Sequence, residues 1–217
     1  MPSPNKGTLI AEGAYTYHYG EASTGHETWQ LTKLAHGGLV FTSRIEMTSP
    51  QVSTLSLMFE ATQNWTPIRF SARLETEGKS LTSEQHAAGT QWLARIEPRG
   101  GPAQDLALDN IIKPELKFAS PLFLTPTLFR LNLQVGQSRE LDAIVIDEGT
   151  FAPRAAKLKY TCIAEEQVEV PAGKFAAWHY TENESNFWAD RNGVVLLYET
   201  ATGDTSKLAR YRRIERR

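Results

Sequence analysis

Chemistry in this chain would have to come from five histidines (His18, His26, His36, His86 and His179), one cysteine, and carboxylates and arginines set along strand-like runs. No two histidines stand at His-x-His or His-x3-His spacing, so no local metal motif exists and no metal is expected. His36 precedes Gly37-Gly38 and reads as a turn residue. His18 sits on the polar face of a tyrosine-rich run. His179, between Trp178 and Tyr180, faces away from both by alternation, which puts it toward solvent. Cys162 stands alone, which rules out an intrachain disulfide and a cysteine-based zinc site. Its strand-like setting, Leu158–Ile163, suits a small buried apolar residue better than a nucleophile. Glu165 and Glu166 are adjacent on a strand and point to opposite faces, so they cannot act together. Asp142, Asp147 and Glu148 form no pattern of general acid and base. The chain has no Gly-x-Ser-x-Gly elbow, phosphate-cradling glycine loop or dinucleotide fingerprint, and no cofactor is expected.

Arginines and aromatics carry more promise. Arg44, Arg69, Arg73 and Arg95 lie on strand-like runs, and alternation puts Trp65 on the face of Arg69 and Arg73. On a concave face these groups would pair aromatic walls with an anion-binding head-group site. On an outer face they are solubilising charges that also blunt sheet-to-sheet association. The aromatics Tyr17, Phe59, Phe70, Trp92, Tyr160, Trp178 and Trp188 have the same two readings. Core packing comes first, and pocket lining follows where the interior does not fill.

The elements holding these residues are strands. Alternation of period two dominates, and helical periodicity is nearly absent. Thr8–Tyr19 places Leu9, Ala11, Gly13, Tyr15, Tyr17 and Tyr19 on one face. Further strands are expected at His26–Leu34, from Leu39 to Met47, around Leu55–Phe59, at Trp65–Leu74, and near Lys79–Glu84 and Thr90–Glu97. Pro98–Pro102 is a loop. Ser120 is a helix N-cap candidate, Pro121 suits the first helical position, and the apolar run to Leu131 makes a short helix limited by Pro126. Strands resume at Ser138–Asp147 and Phe151–Glu165, and continue to Ile214. The densest hairpin signal is Val168–Thr200, where Asn192-Gly193 turns between alternating aromatic runs.

The whole is expected to be all-β. It forms one domain over residues 1–217, a single strongly curved antiparallel sheet or half-open barrel with a short helical segment near 120–131. That helix must bury itself, and its natural place is across the open end of the sheet.

Bulk properties bound the partners. A net charge of −2 and a hydrophobic fraction of 41% are ordinary for a globular chain and exclude a general nucleic-acid binder. The exception is the C-terminus, with Arg210, Arg212, Arg213, Arg216 and Arg217, read as a solvated final strand and tail. No window has the roughly 18 apolar residues needed to span a membrane. Met1–Gly7 lacks the apolar core of a signal peptide. A cytoplasmic location fits the chain as given, and a periplasmic or exported one fits if a leader has been removed. Oligomeric state is not readable.

Three stretches together resemble the DUF3108-like proteins and, more distantly, lipoprotein carriers of the LolA/LolB type. They are Gly13–Tyr17 with Gly25–Gln30, Leu133–Gln137, and Val170–Phe175 leading to Phe187–Asp190 and Gly193–Val195. The resemblance implies a half-open antiparallel barrel that receives a hydrophobic ligand such as an acyl chain. The leading expectation is therefore non-catalytic binding of a small hydrophobic or amphipathic ligand in the concavity. Its candidate contacts are Tyr17, Phe59, Arg69, Phe70, Trp92, Tyr160, Trp178 and Trp188. A cofactor-independent enzyme using the same cavity, with Tyr17, His18 and Arg69 as polar groups, is the alternative. A structural domain with a filled core is the third reading.

Overall fold

A computed structural model describes residues 7–214. Met1–Lys6, on which the reading of the N-terminus largely rests, and Arg216 and Arg217 of the arginine-rich end lie outside the described residues. The first half is a meander: β1 (Thr8–Tyr19), β2 (Ala22–Lys33), β3 (Leu39–Met47), β4 (Ser53–Ala61), β5 (Pro67–Thr76), β6 (Lys79–Ala88), β7 (Gln91–Pro98) and β8 (Gln104–Leu108). The second half runs through β10 (Ser138–Ile146), β11 (Pro153–Val170), β12 (Gly173–Glu182), β13 (Ser185–Ala189), β14 (Val195–Glu199) and β15 (Asp204–Arg213). Between them lie the short strand β9 (Glu115–Lys117), a single 3-10 turn (Pro121–Phe123) and α1 (Leu124–Leu131).

All fifteen strands belong to one sheet, in the order β8 down to β1, then β15 down to β9. The first and last strands pair at its centre, from Ala11 with Arg213 to Tyr19 with Asp204. Bulges between Ala14 and Tyr15, between Tyr17 and His18, and in the β11–β12 ladder at Cys162 to Ala164 increase the local bend. The sheet curls until edge strand β8 approaches β11, without closing into a barrel. One buried side chain spans the gap: Gln85 Nε2 on β6 donates to the Phe151 carbonyl at 2.8 Å.

The pairing departs from an all-antiparallel sheet at one place. β9 runs parallel to β10, with Glu115 opposite Ala143 and Lys117 opposite Val145. Parallel neighbours need a crossover, and the helical segment is that crossover. Ser120 caps it as its sequence implies, its hydroxyl accepting from the Leu122 N–H at 3.1 Å. Pro126 falls within the first turn of α1, where its missing N–H costs nothing. Asn132, left-handed at φ 42°, ends the helix.

This crossover is folded into the concave side and divides the interior in two. Leu122 and Phe123 join Phe59, Phe70, Phe118 and Phe151 in one cluster. Leu124, Leu128 and Leu131 join Tyr160, Cys162, Tyr180 and Phe187 in the other. Each fully buried side chain of this size stabilises the fold by about 1.5–3 kcal/mol. The concavity is therefore largely filled by the chain's own aromatics. Among the described residues no helix is long and apolar enough to cross a membrane.

One sequence expectation fails locally. Trp65 does not share a strand face with Arg69 and Arg73. It sits in the β4–β5 turn at φ 64°, its N–H donating to the Thr62 carbonyl at 2.9 Å, and β5 begins only at Pro67. Leaving the strand frees its ring to fold inward.

Candidate functional site

The most unusual polar group in the core is Glu27 on β2. It lies on the inner face of its strand, in phase with Gly25, Trp29 and Leu31, and is fully buried. The Tyr17 hydroxyl donates to Oε2 at 2.5 Å, the Ser120 hydroxyl reaches Oε1 at 2.7 Å, and Ser43 donates as well. Burial pushes its carboxyl above the ordinary range, and the three hydroxyls partly counter that. Glu27 thus joins β1, β2 and β3 to the start of the helical segment. It has no opening to solvent, so its work is to hold the crossover in place.

Above Glu27 on the same strand face, Trp29 begins a cavity of about 440 Å³, within the roughly 300–1,000 Å³ range of small-molecule sites. Its walls come from four strands, the helical segment and two turns. Ile10 and Ala11 of β1, Trp29 and Leu31 of β2, and Phe41 of β3 make one side. Leu122, Thr125 and Phe129 of the helical segment make another, with Trp65 from the β4–β5 turn. Asn192 and Val194 of the β13–β14 turn and Tyr211, Arg213 and Ile214 at the end of β15 complete it, and Lys33 lies at the rim.

Local sequence explains this assembly. Trp29 lies flat over β1 because Gly13 opposes it in the ladder; a Cβ there would stand 2.5 Å from the indole. Tyr15 and Tyr211 flank it, with ring centroids at 6.2 and 6.1 Å. Trp65 and Phe129 stack at 4.2 Å with planes 8° apart, and Phe129 is 43% exposed. Asp190 organises the turn that carries Asn192, its Oδ1 accepting from the Asn192 and Val194 amides at 2.8 and 2.9 Å. Asp190 is thereby a turn residue, as the sequence implies. Asn192 in turn accepts a hydrogen bond from Arg213.

Among the described residues, two buried side-chain polar atoms of this lining have no protein partner. The Trp29 indole N–H and the Thr125 hydroxyl are both buried and unbonded, on residues that are each 2% exposed. An unpaired buried donor costs about 1–3 kcal/mol. Both belong to residues that line the same cavity.

The eight residues singled out from sequence lie elsewhere. Phe59, Phe70 and Trp92 are buried in the larger cluster, and the Trp92 indole donates to Gln85 at 2.8 Å. Tyr160 and Trp178 belong to the smaller cluster. Trp188 stacks on His179 at 4.4 Å and donates to Glu166 at 2.5 Å. Tyr17 is bound to Glu27, and Arg69 is exposed on the face opposite Phe70. None of the eight lines the cavity. Arg44, Arg73 and Arg95 are also exposed, each bridged to a glutamate two residues on, at 2.8, 2.6 and 2.6 Å. They occupy the outer wall. Tyr17, His18 and Arg69, the polar set of the enzyme alternative, are not brought together: His18 bonds Thr16 on the other face of β1. Among the described residues no cluster of His, Cys, Asp or Glu could hold a metal ion.

Sequence reasoning missed Glu27, Trp29, Thr125, Phe129, Asn192, Tyr211 and Arg213. Glu27 carried a readable signal, an acidic residue in the apolar phase of an alternating strand. The others had none, because the cavity exists only where four distant segments meet.

The family described as "Putative glycolipid-binding" matches residues 19–202. The chain belongs to this family. The match takes in Trp29, Lys33, Phe41, Trp65, Leu122, Thr125, Phe129, Asn192 and Val194 of the cavity. The expected barrel-like, lipid-binding family is thus borne out in kind, while the specific resemblance to DUF3108-like and LolA/LolB-type proteins is not supported. Its motifs were strand and turn segments that any antiparallel sheet can use. Two solved structures share the fold. A β-barrel-like protein of the DUF1849 domain family from Brucella abortus aligns with TM-score 0.61 at 12% identity, covering 96% of this chain and 99% of that one. A DUF1089 family protein from Pseudomonas aeruginosa aligns with TM-score 0.53 at 18% identity, covering 82% of this chain and 90% of that one. None of the curated proteins matches this chain.

Proposed function

We propose that this glycolipid-binding family member holds one amphipathic lipid, without converting it, with the sugar in the cavity bounded by Trp29, Trp65, Thr125 and Phe129. The observation that carries the reading is the pair of unpartnered donors, the Trp29 N–H and the Thr125 hydroxyl, on residues of a largely aromatic and aliphatic lining. A purely apolar ligand would leave both unsatisfied. A sugar presents hydroxyl acceptors to such donors and an apolar C–H face to a ring, and the Trp65–Phe129 stack offers that ring at the mouth. Ile10, Leu31, Phe41 and Leu122 supply the apolar surface for the start of an alkyl chain.

Titration with a dodecyl glycoside below its micelle concentration, read by tryptophan fluorescence, tests this. Saturable binding is expected, tighter than that of dodecanol. Trp65→Ala is expected to weaken it roughly tenfold, the worth of one aromatic contact with its burial. Equal affinity for dodecanol would reduce the site to a simple apolar groove. Absence of saturable binding to either would overturn the reading.

A further inference from the structure

We infer that the preferred lipid carries a negative charge on its head, as a uronic acid, sulfate or phosphate group would supply; this rests on the glycolipid reading of the cavity. Among the described residues, the charged ones that line the cavity are Lys33 and Arg213, both cations, with no carboxylate beside them. The chain as a whole is slightly acidic, with a net charge of −2, so this local balance runs against the average.

The two cations are set for an outside partner. Neither Lys33 nor Arg213 forms an ion pair among the described residues, whereas the neighbouring Arg212, on the opposite strand face, is bridged to Glu12 at 2.8 Å. Arg213 is instead held by the side-chain carbonyl of Asn192, a neutral acceptor that fixes the guanidinium without discharging it. The carboxylate that acts on this end of the cavity is Asp190, whose charge reaches Tyr211. Its oxygens are already occupied by the Asn192 amide, the Val194 amide and the Asn192 side chain, at 2.8, 2.9 and 3.0 Å. Among the described residues, neither cation of the rim is therefore paired directly with a carboxylate. A guanidinium placed this way offers its remaining N–H groups in the planar fork that suits carboxylate, sulfate or phosphate oxygens.

The test compares two chain-matched probes, dodecyl glucoside and dodecyl glucuronide, by calorimetry at low and at high salt. The glucuronide is expected to bind roughly tenfold tighter at low salt, the worth of one charge-assisted contact near solvent. The gap should narrow as salt screens it. The Lys33→Gln/Arg213→Gln double variant should bring the ratio of the two affinities close to one, while Arg69→Gln on the outer wall leaves the ratio as it was. Glucoside binding with no glucuronide preference, or a preference that survives the double variant, overturns the charge assignment and leaves the glycolipid reading standing. Binding of neither probe overturns both.

Discussion

Thr125 shows, at the scale of one residue, a cost accepted in the unliganded protein. Its hydroxyl is buried without a partner, and such a group destabilises by about 1–3 kcal/mol. Thr125→Val keeps the volume and removes the group. The variant is expected to melt a few degrees higher and to bind the glycoside more weakly, a trade seen by pairing thermal unfolding with titration. Unchanged affinity in Thr125→Val would remove the hydroxyl from the site. Glu27 makes a pH prediction. Burial raises its carboxyl, so the folded state holds the proton to higher pH than the unfolded chain does. Its contribution is fully present below the ordinary carboxylate range and is lost as pH rises through the raised value. Glu27→Gln lacks this loss. The stability difference between the two proteins should therefore move in favour of the variant as pH rises from about 4, near the reference carboxylate value, toward 7. Parallel urea melts at several pH values check it. A difference that moves the other way, or not at all, would contradict the assignment.

Among the elements, the crossover from β9 to α1 decides the most. It carries three cavity residues and is fastened at both ends by polar contacts. Ser120 ties its start to Glu27, and Arg130 ties α1 to Glu115 on β9 and to Thr66 beside Trp65. Thr127 also donates to Glu115, at 2.5 Å. The Arg130 and Glu115 side chains are 19% and 4% exposed, so removing one partner strands a buried charge. Arg130→Met is expected to cost about 3–5 kcal/mol, seen as a lower urea midpoint, and Glu115→Leu/Arg130→Met to regain most of it. Gly13 plays the matching part on the sheet. Gly13→Ala would press its methyl into the Trp29 ring and the Arg210 carbonyl, and should destabilise by about 1–3 kcal/mol. A wild-type melting curve for Gly13→Ala would show that Trp29 can move aside.

At the scale of the molecule, an open sheet of fifteen strands has its firmest part where its ends in sequence meet. β1 and β15 pair at the centre, while β8 and β9 are the free edges. Amide exchange should be slowest in β1, β2 and β15 and fastest in β8 and β9. Equal protection across the sheet would mean that the edges are covered more firmly than their pairing suggests. The cavity sits against the central strands and borrows their rigidity for Trp29 and Tyr211. Its other wall is the crossover, which is held by few and specific contacts.

Most of the fold was legible because period-two alternation reports which face of a strand is buried. β1 was readable to its ends, and Ser120, Pro121 and Asn192-Gly193 marked the helix start and the hairpin by their backbone demands. β8 and β9 were not, being only five and three residues long. The parallel pairing of β9 followed from the crossover's path, which no local pattern records. Residue type fixed the phase of Phe59, Phe70 and Trp92 toward the inside, but not whether that inside was filled. That was decided when Phe118, Phe123 and Phe151 from the middle of the chain packed against them. The cavity then opened elsewhere, where Trp29, Thr125, Phe129 and Arg213 converge. Sequence alone determines which side of each strand turns inward, because that is a local matter of alternation and solvation. Which inward residues meet one another, and which are left without a partner, depends on contacts between segments a hundred residues apart, and only the tertiary structure decides it.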